Sequence, residues 1–399
     1  MFYNTIKSKQ QPEAENARQK RFTMEHYLDN AATTKVCGEA AQAALQAMTE
    51  IYGNPSSTHT KGREAKKLLD LSRRQAAAAL GCEAGELVFT SCGSESDNWA
   101  ILGGADFMKR RGKHIISSLV EHDAVRKSLD TLESAGYEIT RLAPDSTGAI
   151  SPDAVRQALR DDTALVSLMM VNNETGAVTD IQAVSRVLKE AGSRALLHTD
   201  AVQAFLKIPF QAKTLHADLI SVSGHKIHAP KGIGALYIRS GVKLKPFIVG
   251  GGQEDGRRAG TEALPQIAAF AAACSAASAD PDKKLMKMKA LKTFAVERLT
   301  AEIPELQYIP TDAPHILSIS MPGWRSEVLM NLLEAREVYV SKSSACKKGG
   351  RSHVLEAIGL KNNVIDGALR IGLSRFTTEE DILALVSGLT EARNTLAHR

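Results

Sequence analysis

The chain contains no run of about 18 or more apolar residues, so nothing in it reads as a membrane span. Cysteine is scarce and odd in number. The five (Cys37, Cys82, Cys92, Cys274, Cys346) form no CxxC pair, which argues against a disulfide framework and against a zinc or other metal site. A reducing, cytoplasmic compartment fits best. With only 13 Pro in 399 residues, 43% hydrophobic and 24% charged, the composition excludes disordered, collagen-like and fibrous classes. Net charge is low as well, +5 in all, of which residues 1–23 carry three. The body therefore lacks the clustered basic excess of a nucleic-acid binder, and no direct nucleic-acid partner is expected. Residues 1–23 have no apolar stretch of signal-peptide length and hold two Glu, so they read as a mobile tail, with Met24 as an alternative start.

At two to three times the usual ~150-residue domain, the length suggests two domains or one large one with an appendage. From Glu86 onward, β-rich runs alternate with helix-like segments: LVFT near 87, HIISSLV near 114, YEITRLA near 137, ALVSLMMV near 164 and ALLHTD near 195. That alternation predicts an α/β fold, a doubly wound and mostly parallel sheet. DLISVSGHK and GIGALYIR add two strands separated by a turn-rich loop. Past about residue 283 a basic helical stretch, ILSISM, a helix from Ser326, VYVS and ALRIGLS read as a smaller α+β unit. A capping box at Thr377 and Glu380 opens the last helix, whose stripe of Ile382, Leu385, Val386 and Leu389 reads as core.

Ser223-Gly224-His225-Lys226 closes an apolar strand just where α/β folds bind ligands. A lone lysine there is ordinarily a solvated loop residue. Its neighbours say more. Asp200 ends the run LLHTD, with Gln203 three residues on, and a buried carboxylate needs a cation such as a protonated pyridine nitrogen. By itself Asp200 would be a helix cap. Ser91-Cys92-Gly93-Ser94 joins a strand to a helix start, and supplies the backbone N–H groups and hydroxyl that hold a phosphate.

Taken in order, LDNAATT (28–34), GNPSSTH (53–59), GSESDN (93–98), EH-x-AV (121–125), NNETG (172–176), DAVQ (200–203), SGHK (223–226), RAGTE (258–262), SSAC (343–346) and LRIGLSRFTT (369–378) resemble the motifs of the pyridoxal-phosphate cysteine desulfurases. These are the NifS/IscS-like members of the class V aminotransferase family. The resemblance runs from about residue 26 to the end. It implies a type I pyridoxal-phosphate transferase fold, with a large domain over 38–283 and a small one made of 24–37 and 284–399 that carries the catalytic cysteine loop.

It also implies roles. Lys226 would anchor pyridoxal 5'-phosphate covalently and act as base; His122 would lie over the ring and help move protons. Asp200 would keep the ring nitrogen protonated, while Gln203 and Asn173 would fix the ring. Gly93, Ser94, Ser223 and His225 would hold the phosphate, with Thr261 completing the cup from the other subunit of a homodimer. Asn173 and Arg370 would bind the substrate, L-cysteine, Arg370 by its planar fork. Cys346 would receive the sulfur as a persulfide and hand it to an acceptor protein, an iron–sulfur scaffold or a tRNA-thiolation enzyme. Lys342, Lys347, Lys348 and Arg351 flank Cys346, and cationic neighbours favour a thiolate. The other four cysteines read as small buried hydrophobes.

Cys92 departs from the family's usual Gly, which requires a negative φ there. The segment after Cys346 is shorter and more basic than in iron–sulfur-assembly members. Two rivals share the fold: a selenocysteine lyase and an aminotransferase. A third, of another class, is a non-catalytic sulfur-relay or tRNA-binding scaffold.

Overall fold

The structure, a computed structural model, describes residues 25–342 and 350–396. Seven strands form the central sheet: β1 (Leu87–Thr90), β2 (His114–Ser118), β3 (Glu138–Leu142), β4 (Thr163–Ser167), β5 (Leu196–Asp200), β6 (Leu219–Ser223) and β7 (Gly234–Ile238). Their spatial order is β1-β7-β6-β5-β4-β2-β3. Every strand runs the same way except β7, which is antiparallel to both β6 and β1. All but the edge strand β3 are buried along their whole length.

Because successive strand residues face opposite sides, each apolar run feeds two cores. Leu87, Phe89, Ile116, Val166, Leu197, Ile220 and Val222 pack beneath helices α1 (Gly38–Thr49) and α2 (Thr60–Leu80). Val88, Ile115, Leu165, Leu196, Leu219 and Leu236 point the other way. They meet α3, a continuous helix of Gly93–Asn98, a π-helical turn at Trp99–Gly103, and Gly104–Met108, and they meet α4 (Asp123–Ser134). The same parity puts His198 and Asp200 on the α3 side, along with Ser167, Ser221 and Ser223.

A further core lies around β8 (Ile316–Ser320) and β9 (Ala368–Gly372), an antiparallel pair flanked by short strands at Ser341–Lys342 and Gln307–Tyr308. It includes Leu28, Leu291, Leu299, Leu333 and Leu389. The predicted stripe of the last helix, Ile382, Leu385, Val386 and Leu389, is buried there. That helix spans Glu379–Thr395, and its capping box is Thr378 with Asp381, one residue later than the spacing predicts. The Thr377 hydroxyl is engaged elsewhere, accepting from the Ser374 N–H at 2.9 Å, so the next threonine takes the cap.

Residues 25–37 tie the two regions together. His26–Tyr27 pairs with Val338–Tyr339, and Leu28 accepts from the Gly372 N–H at 2.6 Å. Farther on, the Thr34 N–H donates to the His225 carbonyl at 2.9 Å, and Cys37 packs in the core of the central sheet. Gly372 permits this crossing, since a Cβ there would stand 2.4 Å from the Ala31 nitrogen. Among the described residues no helix is long and apolar enough to cross a membrane.

Candidate active site

The parallel strands all end at one edge, where doubly wound sheets bind ligands. Asp200 closes β5, Ser223 closes β6, and Lys226 ends the 3-10 turn that follows. Gly93 opens α3 beyond β1, and His122 caps α4 beyond β2. Asn173 lies beyond β4 in the loop Asn172–Gly176.

Lys226 reaches back to the N-terminal crossing segment. Its Nζ donates to the carbonyls of Ala31 at 2.9 Å and Ala32 at 2.6 Å. Gln203 Nε2 donates to the same Ala31 oxygen at 2.8 Å, so the two predicted site residues share an acceptor. His225 Nδ1 lies 3.2 Å from Thr33 Oγ1. Burial, helped by the charge of Lys226, pushes the His225 ring down to about 3, so it is neutral near pH 7. His122 Nδ1 accepts from the Ala124 N–H at 3.2 Å, which leaves the ring proton on Nε2. LDNAATT is thus part of the site through its backbone, a contribution that residue types alone do not reveal.

The start of α3 is built for an anion. Cys92, its N-cap, has φ −173°, extended as its departure from Gly requires, and makes no side-chain cap. The N–H groups of the first turn therefore have no acceptor within the helix or from a cap. Beside them the Ser223 hydroxyl is buried with no hydrogen-bond partner among the described residues. A Cβ on Gly93 would stand 2.8 Å from Val202 Cγ2 and 3.4 Å from Ser223 Cβ, so a side chain would crowd this cup. Ser94 is exposed in the first turn. Glu95, which would repel an anion, is paired with Arg258 at 3.0 Å. That pair also ties the segment bearing the exposed Thr261 to the helix start.

Asp200 accepts from the Val202 N–H at 2.9 Å. Burial raises its carboxyl above the ordinary range, opposed by His122 and Lys226. A carboxylate in that setting gains from a cationic partner, and a phosphorylated aromatic ring with a protonated nitrogen meets both it and the anion cup. Behind Asp200 lies a layer that residue types did not single out. His198 Nδ1 is 2.8 Å from Ser167 Oγ and its Nε2 is 3.0 Å from Ser221 Oγ, with Asp97 Oδ1 at 3.7 Å. Burial holds His198 down at about 3 and, with the Asp200 charge, lifts Asp97 well above the carboxylate range. A histidine two residues before Asp200, in a strand that opens on two leucines, is the signal the sequence carries.

Glu121, next to His122, is also buried. Its Oε1 accepts from Ser118 Oγ at 2.5 Å and the Met169 N–H at 3.1 Å, while Oε2 has no partner among the described residues. Burial raises its carboxyl from 4.5 to about 8. The folded state therefore holds this proton more tightly than the unfolded chain, and the resulting stability is lost as pH rises through that window. Glu121→Gln keeps the accepting oxygen and needs no proton. It should exceed wild type by about 2 kcal/mol near pH 8.5, and by much less near pH 5, in urea melts.

Arg370, only 2% exposed, stands on β9 facing this edge. Nη1 donates to the Asn173 carbonyl at 2.8 Å, and Nη2 to Ser341 Oγ at 2.7 Å and Asp29 Oδ1 at 3.2 Å. Its Nε is buried without a partner among the described residues. Beside it, Ser352 bonds Glu174, whose carboxyl burial raises to about 7.

Cys346 lies outside the described residues, as do Lys347 and Lys348. Of its other two cationic neighbours, Lys342 pairs with Glu327 at 3.2 Å and Arg351 with Asp366 at 2.8 Å, so their charges are largely compensated. Cys37, Cys82 and Cys274 are buried, but Cys92 is only half-buried, because it caps α3 at the site edge instead of packing in the core. No group of three His, Cys, Asp or Glu able to hold a metal ion occurs among the described residues.

Comparison with known proteins matches this architecture. The family model described as aminotransferase class-V matches residues 26–385. Cysteine desulfurase IscS of Methanosarcina thermophila is 43% identical over 361 residues, covering 89% of each chain. A cysteine desulfurase of Nostoc sp. (strain PCC 7120) is 41% identical over 370 residues, 92% of each. The solved structure of a NifS-like protein is 35% identical, with a TM-score of 0.88 over 94% of this chain and all of that one. With the family model, these relatives and this solved structure matching nearly its whole described length, the chain belongs to the class V aminotransferases, pyridoxal-phosphate enzymes of the type I fold.

Proposed function

We propose that this chain is a cysteine desulfurase, converting L-cysteine to L-alanine and passing the sulfur through Cys346 to an acceptor protein. The observation that carries this is similarity to cysteine desulfurases across about nine-tenths of both chains. In this reading Gly93, Ser94, Ser223 and His225 hold the phosphate of pyridoxal 5'-phosphate. Asp200 would pair with its ring nitrogen, Gln203 and Asn173 would hold the ring in place, and His122 would lie against it. When bound, this cofactor supplies an electron sink that acidifies the substrate's α-C–H.

The chain's own residues do the rest. Arg370 binds the substrate carboxylate. The amine of Lys226 takes the α-proton and returns one to carbon, with His122 assisting. The Cys346 thiolate attacks the substrate sulfur; the S–S bond forms as the carbon–sulfur bond breaks, and the electron pair left on carbon takes up a proton to give alanine. The persulfide then goes to an iron–sulfur scaffold or a tRNA-thiolation enzyme. We propose further that residues 38–283 form the large domain, and 24–37 with 284–399 the small one. The active form is a cytoplasmic homodimer in which Thr261 serves the neighbouring cup. The exposure of Thr261, and of Val249 at 86%, supports that last point.

The test is intact-protein mass spectrometry after incubation of the holoenzyme with L-cysteine and no reductant, with alanine assayed in the same tube. A gain of one sulfur together with alanine is expected. Alanine or pyruvate without an adduct would point to lyase or aminotransferase chemistry, and no product to a scaffold.

Arg370→Lys tests the substrate clamp. An ammonium cannot reproduce the fork, and losing a desolvated, charge-assisted contact costs about 3 kcal/mol, or roughly 100-fold. The loss should fall mainly on KM for L-cysteine, with kcat much less affected, in steady-state kinetics.

A further inference from the structure

Four residues beyond Gln203, Lys207 sits behind the site with a role that the reaction above does not use. Its Nζ donates to Gln203 Oε1 at 3.1 Å. Gln203 Nε2 donates to the Ala31 carbonyl at 2.8 Å, and Lys226 Nζ donates to the same oxygen at 2.9 Å. These three bonds run in series from one lysine to the other. Both lysines also line one cavity of about 30 Å³, room for about one water.

The chemistry of the link gives it direction. A lysine ammonium has donors and no acceptor, so whichever amide atom faces it must be the oxygen. The Gln203 carbonyl is thereby turned toward Lys207 and its NH₂ toward Ala31 and the Lys226 end. The Ala31 carbonyl, which can only accept, asks for the same orientation, so the amide is held from both ends. Lys207 joins no ion pair among the described residues, and burial together with the charges of Lys226 and Arg370 pushes its ammonium well below the usual range. A cation kept in that setting, where methionine or leucine would pack without penalty, calls for a reason beyond packing.

We propose that Lys207 is a positioning residue for Lys226: it holds the Gln203 amide with its NH₂ on the Ala31 carbonyl, the acceptor that Gln203 shares with the catalytic amine. This rests on the desulfurase reading, in which Lys226 anchors the cofactor and serves as base. With Lys207 replaced by an apolar residue, the Gln203 oxygen loses its donor, and the amide turns away to find another and gives up the Ala31 carbonyl. That carbonyl then accepts from the lysine end alone, which stabilises its cationic form and raises the pH at which it titrates.

The experiment is a pH titration of the visible absorption of holoenzyme, with melting temperature and far-UV circular dichroism recorded for each protein. Lys207→Met should move the midpoint upward by roughly one pH unit. Lys207→Leu is a second apolar variant should the first not fold, and Lys207→Arg, which keeps a donor, should titrate like wild type. In a Gln203→Leu background, Lys207→Met should add no shift, because the two residues act as one unit. An unmoved midpoint in both apolar variants overturns the proposal. So does an equal shift with Gln203 absent, which would make Lys207 merely a nearby charge. Should wild type itself show neither the band nor alanine formation, the parent reading fails instead.

Discussion

Lys226→Ala should release no measurable alanine from L-cysteine, a loss of at least about 10⁴-fold, while the protein stays folded. Removing a positioned general base accounts for about 10²–10⁴ of this, and the cofactor's covalent anchor is lost as well. The fold should survive, because Lys226 is only half-buried at a loop and its deletion leaves two carbonyls, of Ala31 and Ala32, to be re-satisfied. That costs about 1–3 kcal/mol. Stopped-assay alanine and the visible spectrum check it together: wild type should bind the cofactor in a form that survives gel filtration, and the variant should not. Residual turnover within tenfold of wild type would remove Lys226 from the base role and leave His122 as the next candidate.

The parts of the molecule that could be read from the sequence are those whose physics is local. Strands β1, β2, β4, β5 and β6 announce themselves because both faces are buried, so runs such as LVF and ALV are apolar at consecutive positions. The reversed direction of β7 is not local, since Gly234–Ile238 reads the same whichever way it runs. Similarly, the last helix showed its stripe, but its cap slipped by one residue because Thr377 and Thr378 are chemically alike. What separates them is the Ser374 N–H that occupies Thr377. Site residues with unusual side chains in apolar runs, Asp200 and Lys226, stood out. The backbone carbonyls of Ala31 and Ala32 did not, as alanine advertises no chemistry. Asp97 acts from behind, across the helix–sheet contact, where only tertiary structure makes it a neighbour of Asp200 and of His198. Charge was over-read near Cys346 for the same reason. Lys342 and Arg351 look like a cationic field in sequence, but Glu327 and Asp366, 15 residues away from each, neutralise them in space.

That compensation sharpens what Cys346→Ser should do. With two of four neighbouring charges paired, thiolate formation falls mainly to Lys347 and Lys348, and a serine hydroxyl in the same place is far too weak an acid to be a nucleophile near neutral pH. Both described flanks of the segment lead back to the substrate clamp. Ser341 accepts from Arg370, and Ser352 bonds Glu174, the residue after the Asn173 carbonyl that Arg370 also contacts. Cys346 is five residues past Ser341 in the sequence, and in the proposed reaction it acts on a cysteine whose carboxylate Arg370 would hold. Cys346→Ser should therefore keep the cofactor's visible band and still bind L-cysteine, yet lose at least about 10³-fold in alanine formation and show no mass gain of one sulfur. Rapid-mixing spectra and intact mass together separate the steps: a spectral change on adding cysteine, with no adduct and no alanine, is the expected pattern. If the variant made alanine at the wild-type rate, sulfur would be leaving without Cys346, which is the behaviour of a lyase, and the persulfide step would have to be withdrawn.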